Sequence, residues 1–253
     1  MSTVARDVSP SPFNQLASHH PIGMSTGVFA DARKDWPGLV ERASAISPYA
    51  IELSALSGPE LPGLLAYLRS APALPFRYLS VHAPTKNVEP DEAKVVGMLA
   101  QLPLSARTIV THPDALRNPR NYRVLGTRLI LENMDTRKDI GRTAEEMGTF
   151  FSLLPDAGFC LDVAHAGDVD ASMDVAHELL DRFKSRLRHV HLSSLAEGEH
   201  VPLTEEDAAR FSEVLGRCRD VPWVLEARPP EAWRSALGAM GPPLDPTTAG
   251  ERM

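Results

Sequence analysis

The stretch that decides the fold is "GFCLDVAHAGD", residues 158–168. It opens as an apolar run of strand type and then sets Asp162 and His165 three residues apart. Burying a charge without a partner is costly. An apolar strand that finishes in a carboxylate and an imidazole therefore delivers chemistry to one end of a sheet. Side chains alternate along a strand, so Asp162 points into the barrel mouth while Cys160, of the same parity, lies deeper as a core thiol. His165 is expected in the loop beyond the strand, bent back over the same mouth.

The pattern repeats along the chain. Strand-like runs start at Gly23, Tyr49, Arg77, Arg107, Arg128, Phe159, Arg188 and Trp223. Between them lie stretches with apolar residues at three- and four-residue steps, such as DVAHELLDRFKSRL and EEDAARFSEVLGRC, the spacing of amphipathic helices. Only PDALRNPRNYRVLG, between the fourth and fifth strands, is too short and Pro-broken for a full helix. Eight strands alternating with helices predict an α/β fold, a single-domain (β/α)8 TIM barrel. No Gly-rich dinucleotide loop follows the first strand, which counts against an open nucleotide-binding sheet. The barrel is predicted over residues 22–240. Residues 1–21 and 241–253 are polar or rich in Pro, Gly and Thr and read as flexible ends.

Nearly every strand carries a titratable group at its C-terminal end: Glu52, His82, His112, Glu132, Asp162, His191 and Glu226. In a barrel that end is the catalytic face. Seven costly groups converging there point to a metal centre. Arg228 shares the parity of Glu226 and is a candidate to hold an anionic substrate, with a salt bridge to a loop as the alternative. Glu52 is a candidate substrate contact. The basic RNPRNYR segment after His112 reads either as a solvated loop or as a phosphate clamp.

The totals narrow the partners. The 253 residues carry a net charge of −7. An acidic chain is a poor default partner for nucleic acid or an anionic membrane, so a small-molecule substrate is expected. No apolar run is long enough to span a bilayer. Two cysteines, Cys160 and Cys218, form no disulfide framework, and a reducing cytoplasm is the expected compartment.

The motifs SVHAPT, VTHPD, LILENMD, CLDVAHAGD, HVHLSS, GEHVPL and VLEARP, in this order and strand placement, resemble the xylose isomerase-like TIM barrels. That superfamily includes sugar-phosphate isomerases, ketose epimerases and the endonuclease IV type of abasic-site nuclease. The resemblance runs from about Gly23 to about Trp233. It implies a core metal held by Glu132, Asp162, His191 and Glu226. It implies a further ion on His82 and His112 with Glu132 bridging, and a third on His165 and His200. The nuclease pattern has an Asp where this chain has Gly198. The epimerase pattern has a Glu where this chain has Lys138, and an Arg where it has Glu197. One to three divalent ions (Zn, Mn, Mg, Co or Fe) are implied.

Three activities follow from the resemblance. The first is a metal-dependent isomerase or epimerase of a sugar or related polyhydroxy compound, with Glu132 and Glu226 moving the proton and His165 orienting the substrate. The second is an endonuclease IV-like phosphodiesterase. The third is a multinuclear iron oxidase.

Overall fold

A computed structural model describes residues 17, 20–88 and 91–229. The expected flexible ends fall almost wholly outside those residues. Eight parallel strands close into a barrel: β1 (Ile22–Ser25), β2 (Ala50–Ser54), β3 (Tyr78–His82), β4 (Thr108–Thr111), β5 (Leu129–Glu132), β6 (Gly158–Asp162), β7 (Leu187–Leu192) and β10 (Trp223–Leu225). Each pairs with its sequence neighbour, and β1 closes the ring against β10. A two-stranded antiparallel hairpin, β8 (Ser194–Ala196) and β9 (Glu199–Val201), stands between β7 and β10.

The helices are α1 (Trp36–Ser44), α2 (Leu61–Arg69), α3 (Glu92–Ala100), α4 (Ala144–Leu153), α5 (Val163–Val169), α6 (Asp174–Phe183) and α7 (Glu205–Gly216). Their apolar stripes face the barrel. In α6 the buried residues are Ala176, Leu179, Leu180 and Phe183, the three- and four-residue spacing of one helix face. Thr143 and Glu146 form a reciprocal capping box on α4. Between β4 and β5 the Pro-broken segment forms two 3-10 stretches, Pro113–Ala115 and Pro119–Arg128, as its sequence predicts.

The main apolar core lies between strands and helices. A small separate cluster of Val110, Ile130 and Cys160 marks the apolar side of the barrel interior. The other side is polar, with Glu52, Ser25, Ser54, Ser80, His189 and His191 all buried.

Gly23 is where β1 and β2 come closest. A Cβ there would lie 2.5 Å from the Ala50 Cβ and 2.7 Å from the Ala50 carbonyl oxygen. Gly23→Ala is expected to destabilise the barrel by about 1–3 kcal/mol, the usual cost of overpacking. A lowered denaturant midpoint with an unchanged slope checks this.

Candidate metal centre

The strand ends deliver their polar groups to one point. Glu132 ends β5 and Asp162 ends β6, paired in register with His191 on β7. His82 ends β3. His112 follows β4, and Glu226 lies one residue past β10. Glu226 is held in place by its backbone N–H, which donates to the Leu192 carbonyl.

His165 departs from the expected loop. It sits in the first turn of α5, and Asp162 is the N-cap of that helix. The Asp162 Oδ1 accepts from the His165 backbone N–H at 2.7 Å. One carboxylate therefore ends the strand, starts the helix and keeps Oδ2 for the mouth. The strand-to-helix turn is too short to leave a loop. His200 reaches the mouth from the β8–β9 hairpin. The turn of that hairpin is Glu197–Gly198, both residues at positive φ, the backbone of a tight primed turn.

The donor spacing is informative. Glu132 Oε2 lies 3.4 Å from His82 Nε2, 3.4 Å from His112 Nε2 and 3.3 Å from His191 Nδ1. His191 Nδ1 is 3.4 Å from Glu226 Oε1, and His200 Nε2 is 3.4 Å from Glu226 Oε2. Metal bonds of about 2.0–2.1 Å in tetrahedral geometry put neighbouring ligand atoms about 3.3–3.4 Å apart. Hydrogen bonds of this kind prefer about 2.9 Å.

Three groups have ligand atoms within 4.8 Å of one another on this face: His82, His112 and Glu132; Glu132, Asp162, His191 and Glu226; and Asp162, His165 and His200. Glu132 Oε2, Asp162 Oδ2, His191 Nδ1 and Glu226 Oε2 are buried and make no hydrogen bond. Each of the four core candidates thus keeps one orphan atom, and the four side chains offer ligand atoms within 4.8 Å of one another. Orphaned buried polar atoms are costly, and a divalent cation satisfies all four.

Behind the site, ring nitrogens of His82, His165, His200 and His191 are tied down, while His112 Nδ1 has no hydrogen-bond partner. His82 Nδ1 bonds to the Ala83 carbonyl at 2.9 Å and His165 Nδ1 to the Asn133 carbonyl at 2.9 Å. His200 Nδ1 bonds to the Ser193 hydroxyl at 2.7 Å and His191 Nε2 to Glu52 Oε2 at 3.2 Å. Metal-ligating histidines are fixed in this way. The donor set of imidazole and carboxylate suits Zn, Mn, Co or Fe.

Electrostatics separates the carboxylates. Burial pushes the Glu132 carboxyl up, but His191 and His112 reverse this and hold it well below the usual range. Burial pushes Glu226 up to about 8; His191 opposes this, while Glu132 and Asp162 add to it. Burial works against charging His165, yet Asp162 and Glu132 raise it to about 10.

Two expected substrate contacts sit elsewhere. Glu52 is the third residue of β2, not its end, and is completely buried. It accepts from Ser80 at 3.0 Å and lies beneath His191, where it orients the imidazole. Arg228 is at the rim, paired with Asp31 at 3.3 Å and stacked 5.2 Å from the Phe29 ring. The salt bridge was the alternative its sequence position allowed. In RNPRNYR, the backbone of Arg117 and Asn118 donates to Glu92, and Arg123 donates to the Leu153 carbonyl. These bonds give that segment a packing role. The rim cations Arg33, Arg137 and Lys138 pair with Glu60, Asp135 and Asp114.

Asn133 was missed as a site residue. Its amide donates to the Asp162 carbonyl at 2.9 Å and its Oδ1 accepts from the Asp162 N–H at 2.8 Å. It locks β5 to β6 beside two candidate ligands. The available signal was a polar residue directly after a strand-end Glu.

The comparisons agree with this architecture. Residues 120–241 match the family described as "xylose isomerase-like TIM barrel". No curated protein matches the chain. Endonuclease IV from Thermus thermophilus is similar, at 21% identity and a TM-score of 0.57, over 87% of this chain and 98% of that one. The E. coli 3-keto-D-glucoside 4-epimerase is similar at 14% identity and 0.54, over 87% and 98%. The D-psicose 3-epimerase of Clostridium cellulolyticum is similar at 13% and 0.51, over 87% and 90%. The closed eight-stranded ring and these neighbours show that the chain is a TIM barrel, and residues 120–241 carry its match to the xylose isomerase-like family.

Proposed function

We propose that this protein is a metal-dependent phosphoesterase with a two-ion centre, acting on a small phosphoester. One observation carries the reading: Glu132 Oε2 lies within 3.4 Å of imidazole nitrogens of both His82 and His112 and 3.3 Å from that of His191. A carboxylate so surrounded is a bridging ligand. It is a poor proton shuttle, since its neighbours keep it ionised. This departs from the isomerase role for Glu132 that the resemblance implies first. His82, His112 and Glu132 would hold one ion. Glu132, Asp162, His191 and Glu226 would hold the other.

A pair of ions bound there supplies Lewis-acid stabilisation to both the attacking and the leaving oxygen of a phosphoester. The chain itself orients the imidazoles through Ala83 and Glu52. Glu226, at the rim side of the cluster with 12% exposure, can take a proton from the incoming water. The paired rim cations and the net charge of −7 favour a small substrate over a polynucleotide.

The isomerase or epimerase reading keeps one supporting observation. Glu226 at a carboxyl value of about 8 is suited to moving a proton near neutral pH. A single experiment separates the two. Metal-stripped protein is reloaded stepwise with zinc or manganese and offered a small phosphodiester, and separately a ketose in deuterated water. Phosphoester hydrolysis that rises up to two exchangeable equivalents, insensitive to salt, is the expected result. Deuterium entering a sugar carbon at one equivalent, with no hydrolysis at two, overturns it.

A further inference from the structure

One layer below the candidate centre, four more ligand-type side chains meet: Cys160 on β6, His189 and His191 on β7, and Glu52 on β2. All four are completely buried. His189 Nε2 and His191 Nε2 are 3.2 Å apart. Glu52 Oε2 is 3.2 Å from His191 Nε2 and 3.6 Å from His189 Nε2. Cys160, His189 and His191 each bring a ligand atom within 4.8 Å of the others. These spacings again bracket the edge of about 3.3 Å in a tetrahedral ligand set.

The surroundings orient the donors inward. His189 Nδ1 meets the Tyr78 hydroxyl at 2.8 Å, and that hydroxyl meets Thr108 Oγ1 at 2.8 Å. Tyr78 can accept from Nδ1–H while donating to Thr108, which turns the Nε2 lone pair toward the cluster. His191 presents Nδ1 to the centre above and Nε2 to the layer below.

Charge supports an ion here. Glu52 is a buried carboxylate that accepts from the neutral hydroxyls of Ser80 and Ser25 and faces the His191 and His189 imidazoles. One divalent ion, the Cys160 thiolate, the Glu52 carboxylate, a neutral His189 and a His191 imidazolate shared with the mouth centre would leave one negative charge, facing the ion above. An ion there would pair the buried thiolate and carboxylate directly, which lowers their burial cost.

We propose that Cys160, His189, His191 and Glu52 form an interior metal site, separate from the centre at the mouth, for a thiolate-tolerant d-block ion such as Zn2+ or Co2+. All of these side chains are completely buried, so an ion held here would have no position open to solvent and would be structural. It ties β2 to β6 and β7 across the barrel. On loading, the Cys160 sulfur and His191 Nε2 would each exchange a proton for the ion, and both protons would leave to solvent.

The test uses full-length protein produced with zinc in the medium and dialysed against a chelator. One equivalent is expected to stay bound, and the zinc X-ray absorption edge should show one sulfur neighbour at about 2.3 Å. Cys160→Ser should lose that equivalent and keep the exchangeable ions. Glu226→Ala should do the reverse. Absence of a retained equivalent, or a nitrogen- and oxygen-only shell in the unsubstituted protein, overturns the site. The absorption reading stands even if Cys160→Ser does not fold. The functional proposal rests on the exchangeable ions alone, so the two can fail separately.

Discussion

Glu132→Ala is expected to lower the affinity of the mouth centre for divalent metal by more than about 100-fold while the barrel stays folded. The reason is that one carboxylate serves two ligand groups. It belongs with His82 and His112 and also with Asp162, His191 and Glu226. Losing a supporting residue behind a ligand costs about 10–100-fold, and losing a shared ligand exceeds that. Glu132→Gln keeps the shape but puts an amide among the imidazoles of His82, His112, His165 and His191, so it should lose the ions as well. If Gln retains them, shape and not charge holds the site.

The fold should survive because Glu132 sits at the strand end, clear of the main apolar core. Asp162→Ala offers a graded comparison. It loses a ligand and also the cap of α5, so about 1 kcal/mol of stability should go with the metal. His177→Ala is the control. His177 lies on α6, against Arg217, and its loss should leave metal binding unchanged. Elemental analysis and chelator competition read all four variants. Full metal retention in both Glu132 variants would sink the two-ion reading.

The barrel was legible because its strands and helices carry different periods, and because the polar residues fall at one end of each strand. Glu132, Asp162, His191 and Glu226 follow from that placement, as do His82 and His112. Three features were not legible, each for a physical reason. His165 was expected in a loop, but Asp162 caps a helix that begins at once, and a capping carboxylate looks the same in sequence as a ligand. The sequence pattern puts Glu52 at a strand end; the strand runs two residues further, which moves it down one layer and behind His191. Cys160 reads as a core thiol because an apolar explanation suffices for it alone; in the barrel it meets His189. Their meeting depends on the register shift between Phe159 and Cys160, which pairs Cys160 with His189. Single-strand patterns do not contain that shift.

Glu226→Gln is expected to change the sign of its effect with metal. In the metal-free protein, burial pushes the Glu226 carboxyl up to about 8, against its ordinary 4.5; His191 pulls it down, and Glu132 and Asp162 push it further up. The folded state therefore favours the protonated form. That contribution is fully present below about pH 4.5 and is lost as the pH rises through 8. Glutamine carries no such charge, so the chelated variant should be the more stable protein at pH 8, by on the order of a few kcal/mol, and should gain little at pH 4.5. Saturating zinc should reverse the order at pH 8. The ion pulls the proton from Glu226 and stabilises the native state by mass action, and the amide binds it less well. Denaturant unfolding of both proteins at pH 4.5 and 8, with chelator and with zinc, reads the crossing. A glutamine variant that stays more stable in zinc at pH 8 would mean that Glu226 faces no ion, leaving its orphan Oε2 to some other partner.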